Sequence, residues 1–214
     1  MLELGIKVTA AFLLGSMLGS LVVGRLFGGI DIRKVGSGNA GGTNALRTQG
    51  KLFAFLVMLI DVGKGILAVL ILPSLSIPGI GIDASIDRDL LIYSVAFAVI
   101  VGHVYPVWFE FKGGKGGATA AGILFVLAPA TAPIVIGIWI AVVAISGFVG
   151  LATMGATVAA AFILAFQRLP AEHDLVLFAA CVAALIIYSH RSNIQRMCNG
   201  TESRIGRRFR REQE

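Results

Sequence analysis

The run Leu52-Phe53-Ala54-Phe55-Leu56-Val57-Met58-Leu59-Ile60-Asp61-Val62-Gly63-Lys64-Gly65-Ile66-Leu67-Ala68-Val69-Leu70-Ile71-Leu72 decides the fold. It is apolar apart from Asp61 and Lys64, and Pro73 stops it. A run of this length crosses the ~30 Å hydrocarbon core of a bilayer as one α-helix. The whole 214-residue chain has a mean hydropathy of +0.87, with 57% hydrophobic and only 14% charged residues. A soluble domain cannot hide that much apolar surface. Long charge-free segments exclude a β-barrel, whose strands alternate over short stretches. In lipid the remaining way to satisfy the backbone is the helix. The expected class is therefore all-α, a polytopic membrane bundle.

Asp61 and Lys64 lie three residues apart on one face of this span. A lone charge at bilayer depth costs about 2.5–3.5 kcal/mol even on the lenient insertion scale. The two are expected either to pair inside the bundle or to brace a functional site from behind.

Upstream, Leu4 to Phe27 reads as the first span, with Gly15/Gly19 and Ser16/Ser20/Gly24 as small-residue ridges for close packing. Glu3 stands where a signal peptide would carry basic residues, so the run is expected to be retained. Between the two spans lies Gly36-Ser37-Gly38-Asn39-Ala40-Gly41-Gly42-Thr43-Asn44-Ala45-Leu46-Arg47. Glycines bring backbone N–H groups close to a ligand. Ser37, Asn39, Thr43 and Asn44 add neutral polar groups, and Arg47 adds a planar fork suited to phosphate. Such a loop is built for anions.

Downstream, a polar loop from Ser74 to Asp89 leads to a third span, Leu90 to Trp108. The next segment carries Gly113-Gly114-Lys115-Gly116-Gly117-Ala118-Thr119. It is not a P-loop, because Phe109 replaces the first glycine and Gly116 follows the lysine. Its chemistry is similar all the same, with backbone donors around a cation. Residues 116–167 carry no charge. The two glycine loops and the tail are the cation-rich segments, and the positive-inside rule puts all three in the cytoplasm. That requires an odd number of crossings in 116–167. Three are expected, broken near Pro129/Pro133 and near Gly147/Gly150, and Asp174 to Ser189 forms the seventh span. The amino end is then outside and the carboxyl end inside. Residues 1–198 form one transmembrane catalytic domain, and 199–214 form a basic cytoplasmic tail.

The formal charge of +6 comes mostly from the carboxyl end, where Arg191, Arg196, Arg204, Arg207, Arg208, Arg210 and Arg211 outnumber Glu202, Glu212 and Glu214. It reads as a topology signal in contact with anionic headgroups, not as a nucleic-acid surface. Cys181 and Cys198 are ~25 Å apart on a continuous helix, too far for a disulfide. The last span ends in His190-Arg191-Ser192-Asn193-Ile194-Gln195-Arg196, where His190 and Asn193 are spaced to share a helix face.

Topology thus gathers Arg47, Lys115, His190, amides, hydroxyls and backbone donors on one membrane face. That set suits two phosphates, or one phosphate and a developing oxyanion. Neither glycine loop contains a carboxylate, which argues against a metal site, and no cofactor is expected. One lipidic and one phosphorylated water-soluble substrate fit the setting.

Four segments together resemble the PlsY family, bacterial membrane glycerol-3-phosphate acyltransferases that use acyl-phosphate. They are Gly36-Ser37-Gly38-Asn39-x-Gly41-x-Thr43-Asn44-x-x-Arg47, Asp61-x-x-Lys64-Gly65, Gly102-His103-x-x-Pro106…Gly113-Gly114-Lys115-Gly116-x-Ala118-Thr119, and His190-Arg191-x-Asn193-Ile194-x-Arg196. The resemblance covers nearly the whole chain in order. Gly117 departs from it, since the family more often has Val there. It implies acyl transfer from acyl-phosphate to the 1-hydroxyl of glycerol 3-phosphate, giving 1-acyl-glycerol 3-phosphate and phosphate, the first step of phospholipid synthesis. It also implies a seven-span bundle in the bacterial inner membrane with its site on the cytoplasmic face. By motif position Ser37, Arg47, Lys115, His190 and Asn193 are the expected catalytic residues. Gly36, Gly38, Asn39, Gly41, Thr43, Asn44, Gly113, Gly114, Gly116 and Thr119 are the expected substrate-binding residues. The acceptor proton would go to a substrate phosphate or to His190. The enzyme that makes acyl-phosphate is a candidate partner.

Two other readings compete. An acyl-CoA-dependent enzyme would carry His-x-x-x-x-Asp, but Trp108 and Gln195 stand at that spacing from His103 and His190. A transporter for organic phosphates would suit the midplane Asp61 and Lys64 and broken helices. Against it, the anion-binding residues cluster towards one face.

Overall fold

The computed structural model describes residues 1–205, and within them every regular element is helical. In chain order the helices are α1 (Leu2–Gly15), α2 (Gly19–Leu26), α3 (Gly42–Gln49), α4 (Lys51–Ile71), α5 (Arg88–Val104), α6 (Gly117–Leu127), α7 (Ala132–Ser146), α8 (Val149–Arg168), α9 (His173–Ser189) and α10 (Arg191–Cys198). Single 3₁₀ turns occupy Ile32–Lys34 and Val107–Phe109. The chain forms two compact units, Met1–Leu127 and Ala128 onward.

Three helical stretches are long and apolar enough to cross a bilayer: α4, α8, and α5 continued to Phe109. The pairs α1/α2 and α9/α10 are bent by 47° and 54°, and α6 and α7 are shorter apolar helices. The breaks in 116–167 fall at residues 128–131 and 147–148, beside Pro129/Pro133 and at Gly147.

In the first unit, α1 packs on α5 and α4 on α6 through glycines. A Cβ at Gly15 would run into the Val99 carbonyl, and one at Gly102 into the Phe12 carbonyl. Gly65 and Gly122 meet the Thr119 and Val62 carbonyls in the same way. Without a hydrophobic drive between helices in lipid, such close backbone approach is what holds them together.

The first span differs from the expected continuous helix, Leu4–Phe27. It breaks at Ser16–Leu18, with no proline to cause it. The reason lies on α4. The Lys64 ammonium donates to the carbonyls of Gly15 (2.9 Å) and Met17 (3.0 Å), which α2 does not use. The Asp61 carboxylate accepts the N–H of Gly19 at the start of α2 (3.1 Å). A cation at a helix C-terminus and an anion at a helix N-terminus both complement the backbone dipole.

At the other end of α4, the Glu3 carboxylate is fully buried. It takes both Nη atoms of Arg88 (3.0 Å each), the Lys7 ammonium (2.7 Å) and the Asp83 N–H (2.7 Å). Lys7 also donates to the Pro73 carbonyl (2.8 Å). Lys7 is thus a buried strap between α1 and the loop after α4. In that loop, the amino-terminal ammonium and Ser85 hold the Asp83 carboxyl down to about 2.

In the second unit, α7 and α8 are joined inside the bundle by Trp139 Nε1 to Thr153 Oγ1 (3.1 Å) and Thr131 Oγ1 to Gln167 Oε1 (3.0 Å). The chain after α10 returns to the α7–α8 turn. There the Ile205 N–H donates to the Gly147 carbonyl (2.9 Å) and Arg204 lies over the Phe148 ring (4.5 Å). Arg207, Arg208, Arg210 and Arg211 of the basic tail lie outside the described residues.

Packing sorts the glycines. Gly15→Ala and Gly102→Ala put a methyl against fixed backbone, so each should lower the melting temperature in detergent. The expected cost is about 1–3 kcal/mol or more, the usual range for overpacking. Gly5→Ala and Gly137→Ala, which meet nothing within 4 Å, should leave it unchanged.

Candidate active site

The Gly36–Arg47 stretch is only half a loop. Residues 35–41 are irregular, and from Gly42 the chain is helical, so Thr43, Asn44 and Arg47 ride on α3. Gly36 and Gly38 have φ of +61° and +71°, a region that L side chains rarely adopt. Gly41 is the N-cap residue of α3 and is extended.

One side chain organises this segment. Asn44 is buried at 1% exposure. Its Nδ2 lies within hydrogen-bond distance of the carbonyls of Ile32 (2.8 Å), Val35 (3.1 Å) and Asn39 (3.0 Å). Its Oδ1 accepts the Ser37 N–H (3.0 Å). Asn44 therefore spends its amide on folding the loop. Ser37 is left exposed at the tip, and Asn39, Thr43 and Arg47 are half-buried beside it.

The second glycine segment is fastened to the first within the same unit. Arg33 stacks on the Phe109 ring (5.2 Å) and donates from Nη1 to the Lys112 carbonyl (3.4 Å). Phe109 also packs on Leu18, Leu21 and Ala40. Asp31 aims Arg33 through two side-chain bonds of 3.0 and 2.9 Å. Its carboxyl is held below the ordinary range by that guanidinium, whose own titration moves up. A depressed carboxylate contributes stability above its unfolded pKa and loses it as pH falls through the folded value, so this clasp is intact at neutral pH. Glu110 is likewise lowered by Lys112.

Around Lys115, Gly114 and Gly116 are buried, and Gly113 and Lys115 are half-buried. The Gly114 N–H donates to the His103 carbonyl (3.0 Å). Thr119 is fully buried against Gly65, and its Oγ1 has no hydrogen-bond partner. The first unit thus joins the two glycine segments, with Ser37, Arg47 and Lys115, through the Arg33 clasp.

His190 and Asn193 belong to the second unit. They do not share one continuous helix, because His190 forms the bend between α9 and α10. Its Nδ1 lies 2.8 Å from the Ile186 carbonyl. A carbonyl only accepts, so Nδ1 carries a proton there. Asn193 Nδ2 donates to Glu202 Oε1 (2.7 Å), and Arg196 Nε pairs with Glu202 Oε2 (2.6 Å). Asn193 also lies flush on Gly150 of α8, where a Cβ would come within 3.0 Å of Nδ2. Sequence reasoning counted Glu202 only as a tail charge. Its signal was faint: an acid nine residues after Asn193 and six after Arg196.

Among the described residues no group of His, Cys, Asp and Glu is placed to hold a metal ion. Cys181 and Cys198 are free and exposed.

Asn44→Ala leaves the Ser37 N–H and three loop carbonyls without their partner. The expected cost is about 1–3 kcal/mol, as for buried polar groups left unsatisfied. Tryptic cleavage after Arg33 and Lys34 should accelerate in the same variant, read by gel. Thr48→Ala, which loses one bond to the Asn44 carbonyl, should cleave at the native rate.

Residues 6–200 match the family model described as glycerol-3-phosphate acyltransferase. The chain is 37% identical over 224 residues to a glycerol-3-phosphate acyltransferase of Chlorobaculum parvum, covering 94% of this chain and 97% of the relative. It is 38% identical over 219 residues to that of Chlorobaculum tepidum, with 92% and 94% covered. Two crystal structures of PlsY, an integral membrane glycerol 3-phosphate acyltransferase, share its fold. The glycerol 3-phosphate form aligns at a TM-score of 0.82 with 37% identity, over 95% of this chain and 96% of that one. The lysophosphatidic acid form aligns at 0.80 with 36% identity, over 95% of each. With matches of that extent, the chain belongs to the glycerol-3-phosphate acyltransferase (PlsY) family of integral membrane enzymes.

Proposed function

We propose that this protein moves an acyl group from acyl-phosphate to the 1-hydroxyl of sn-glycerol 3-phosphate, releasing 1-acyl-glycerol 3-phosphate and phosphate. The observation that carries the reading is the joining of two glycine loops, bearing Arg47 and Lys115, in a chain that aligns along nearly its whole length with the glycerol 3-phosphate form of PlsY. Family membership leaves the transporter reading without support.

Both substrates carry phosphate, and two separate cations on two loops match that demand. The donor is a mixed anhydride, so no acyl-enzyme is needed. The acceptor oxygen attacks the acyl carbon, and the bond from that carbon to the phosphate oxygen breaks. Phosphate leaves with the electron pair. Arg47 and Lys115 stabilise the leaving charge, and loop N–H groups with the Ser37 hydroxyl stabilise the tetrahedral oxyanion. The acceptor proton goes to a phosphate oxygen or to Nε2 of His190. A neutral imidazole with Nδ1 committed to the Ile186 carbonyl would accept it at Nε2. Asn193, oriented by Glu202, is given a catalytic role by its motif position. Gly36, Gly38, Gly41, Gly113, Gly114 and Gly116 let backbone donors approach the anions.

The topology we assign is seven crossings: α1/α2, α4, α5, α6, α7, α8 and α9/α10. An odd count returns both loops and the His190 bend to one side, the cytoplasmic face of the bacterial membrane. Exposed Trp108 and Phe111, beside the second loop, suit the headgroup layer.

Three experiments test this. Purified protein given labelled glycerol 3-phosphate should make organic-extractable label with acyl-phosphate and not with acyl-CoA; the reverse overturns the donor assignment. Arg47→Ala and Lys115→Ala should each fold and lose roughly 10²–10³-fold in turnover, as removal of one transition-state donor does. In a variant lacking Cys181 and Cys198, an impermeant maleimide should label Lys34→Cys and Arg191→Cys from the same membrane side. Ser76→Cys should be labelled from the other.

A further inference from the structure

Beneath the second loop lies a buried polar cluster that the proposed chemistry does not use. Asp61, Lys64 and His103 are 1%, 4% and 3% exposed. Lys64 Nζ is 3.1 Å from Asp61 Oδ1 and 2.7 Å from His103 Nδ1, and His103 Nδ1 is 3.4 Å from Asp61 Oδ1. The ammonium gives its other protons to the Gly15 and Met17 carbonyls. Ionisable groups at this depth are a functional hypothesis by default.

The chemistry of the contact fixes the imidazole. An ammonium has three donors and no lone pair, so Nδ1 facing it must accept. The ring proton is then on Nε2. That atom faces Gly114: a Cβ built there would meet Nε2 first, and Cε1 and Cδ2 next. Gly114 N–H is bonded to the His103 carbonyl, and a Cβ at Gly113 would meet that same carbonyl. The turn that presents Lys115 is thus pressed against His103 from both its backbone and its ring.

We propose that Lys64 and Asp61 hold His103 as the Nε2–H tautomer, and that His103 so held is a positioning residue for the Gly113–Lys115 turn. This rests on the reading of that turn as a phosphate-binding loop. Glycine at 114 is the complement of the imidazole, since any side chain there would displace one or the other. The same ammonium that fixes the ring also fixes the break between α1 and α2, so loop and break are set by one group.

The test uses the full-length protein in detergent. It holds only three histidines, so ¹⁵N-histidine labelling resolves the ring of His103. The wild-type spectrum should show it neutral, with Nε2 protonated and Nδ1 bare; an Nδ1–H signal overturns the proposal. The double variant Asp61→Asn/Lys64→Met removes both charges together, so no single charge is stranded. It should scramble the tautomer and raise KM for one phosphate-bearing substrate by roughly tenfold or more, the scale of a small misplacement in a site. His103→Gln, which keeps an N–H near the Nε2 position, should retain more of the affinity than His103→Leu. Folded variants with wild-type KM and kcat overturn the positioning role. Lys115→Ala separates the two levels. If it too is silent, the phosphate-loop reading falls with this one. If it is impaired while the cluster variants are normal, only the positioning role falls.

Discussion

The contact of Lys64 and Asp61 with the ends of α1 and α2 is the constraint on which the first unit depends. A helix broken inside a bilayer leaves carbonyls and N–H groups with no water to satisfy them. Here the α4 pair supplies the missing partners: the ammonium takes Gly15 and Met17, and the carboxylate takes Gly19. Each charge would be costly at that depth without the other, and the break would be costly without both. The bend lets α2 leave the line of α1, and the segment after it becomes the first glycine loop.

The opposite end of the unit solves a similar problem differently. Glu3 collects Arg88 bidentately, Lys7 and a backbone N–H, so the buried carboxylate is saturated. That cluster closes the loop between α4 and α5 and touches neither glycine segment. By contrast, Asp61 and Lys64 sit against His103, on which the second glycine segment is pressed. A buried ion pair is weak evidence for stability, because well-packed apolar side chains often do as well. Its retention under a glycine loop is better explained by geometry that apolar side chains cannot impose, such as the tautomer of a ring.

Much of this was legible in the sequence. Hydropathy alone dictated a helical membrane protein, and prolines and glycines marked the breaks in 116–167. Four spaced motifs pointed to the family. What escaped was whatever depends on groups distant in sequence. The break at Ser16–Leu18 has only the faint local signal of the Gly15-Ser16 and Gly19-Ser20 pairs, since the groups that satisfy it lie more than forty residues away on α4. The strap formed by Lys7 escaped too, because Pro73, Asp83 and Arg88 join the Glu3–Lys7 pair only in three dimensions. Gly41 and Gly42 read as loop, yet they start α3, because a glycine is tolerated at an N-cap where the helix N–H groups must in any case face outward.

The dense polar motifs also divide in a way that spacing could not reveal. Asn44 looks as much like a ligand-binding residue as Asn39 or Thr43, but its amide is committed to the loop backbone. Asn193 carries a similar commitment to Glu202, and Glu202 in turn to Arg196. A motif therefore interleaves two kinds of residue: one kind folds the segment, and the other, in the function proposed above, meets the ligand. The first kind is required because a glycine-rich segment has a large conformational entropy to lose, of order 1–2 kcal/mol per ordered residue. If the substrate had to supply that ordering, binding energy would be spent on the loop and not on the transition state. A buried asparagine that grips the loop backbone through both its amide nitrogen and its amide oxygen does the ordering in advance. Arg47 and Lys115 then hold their charges on a frame already set, which is the condition under which fixed donors stabilise a developing charge most strongly.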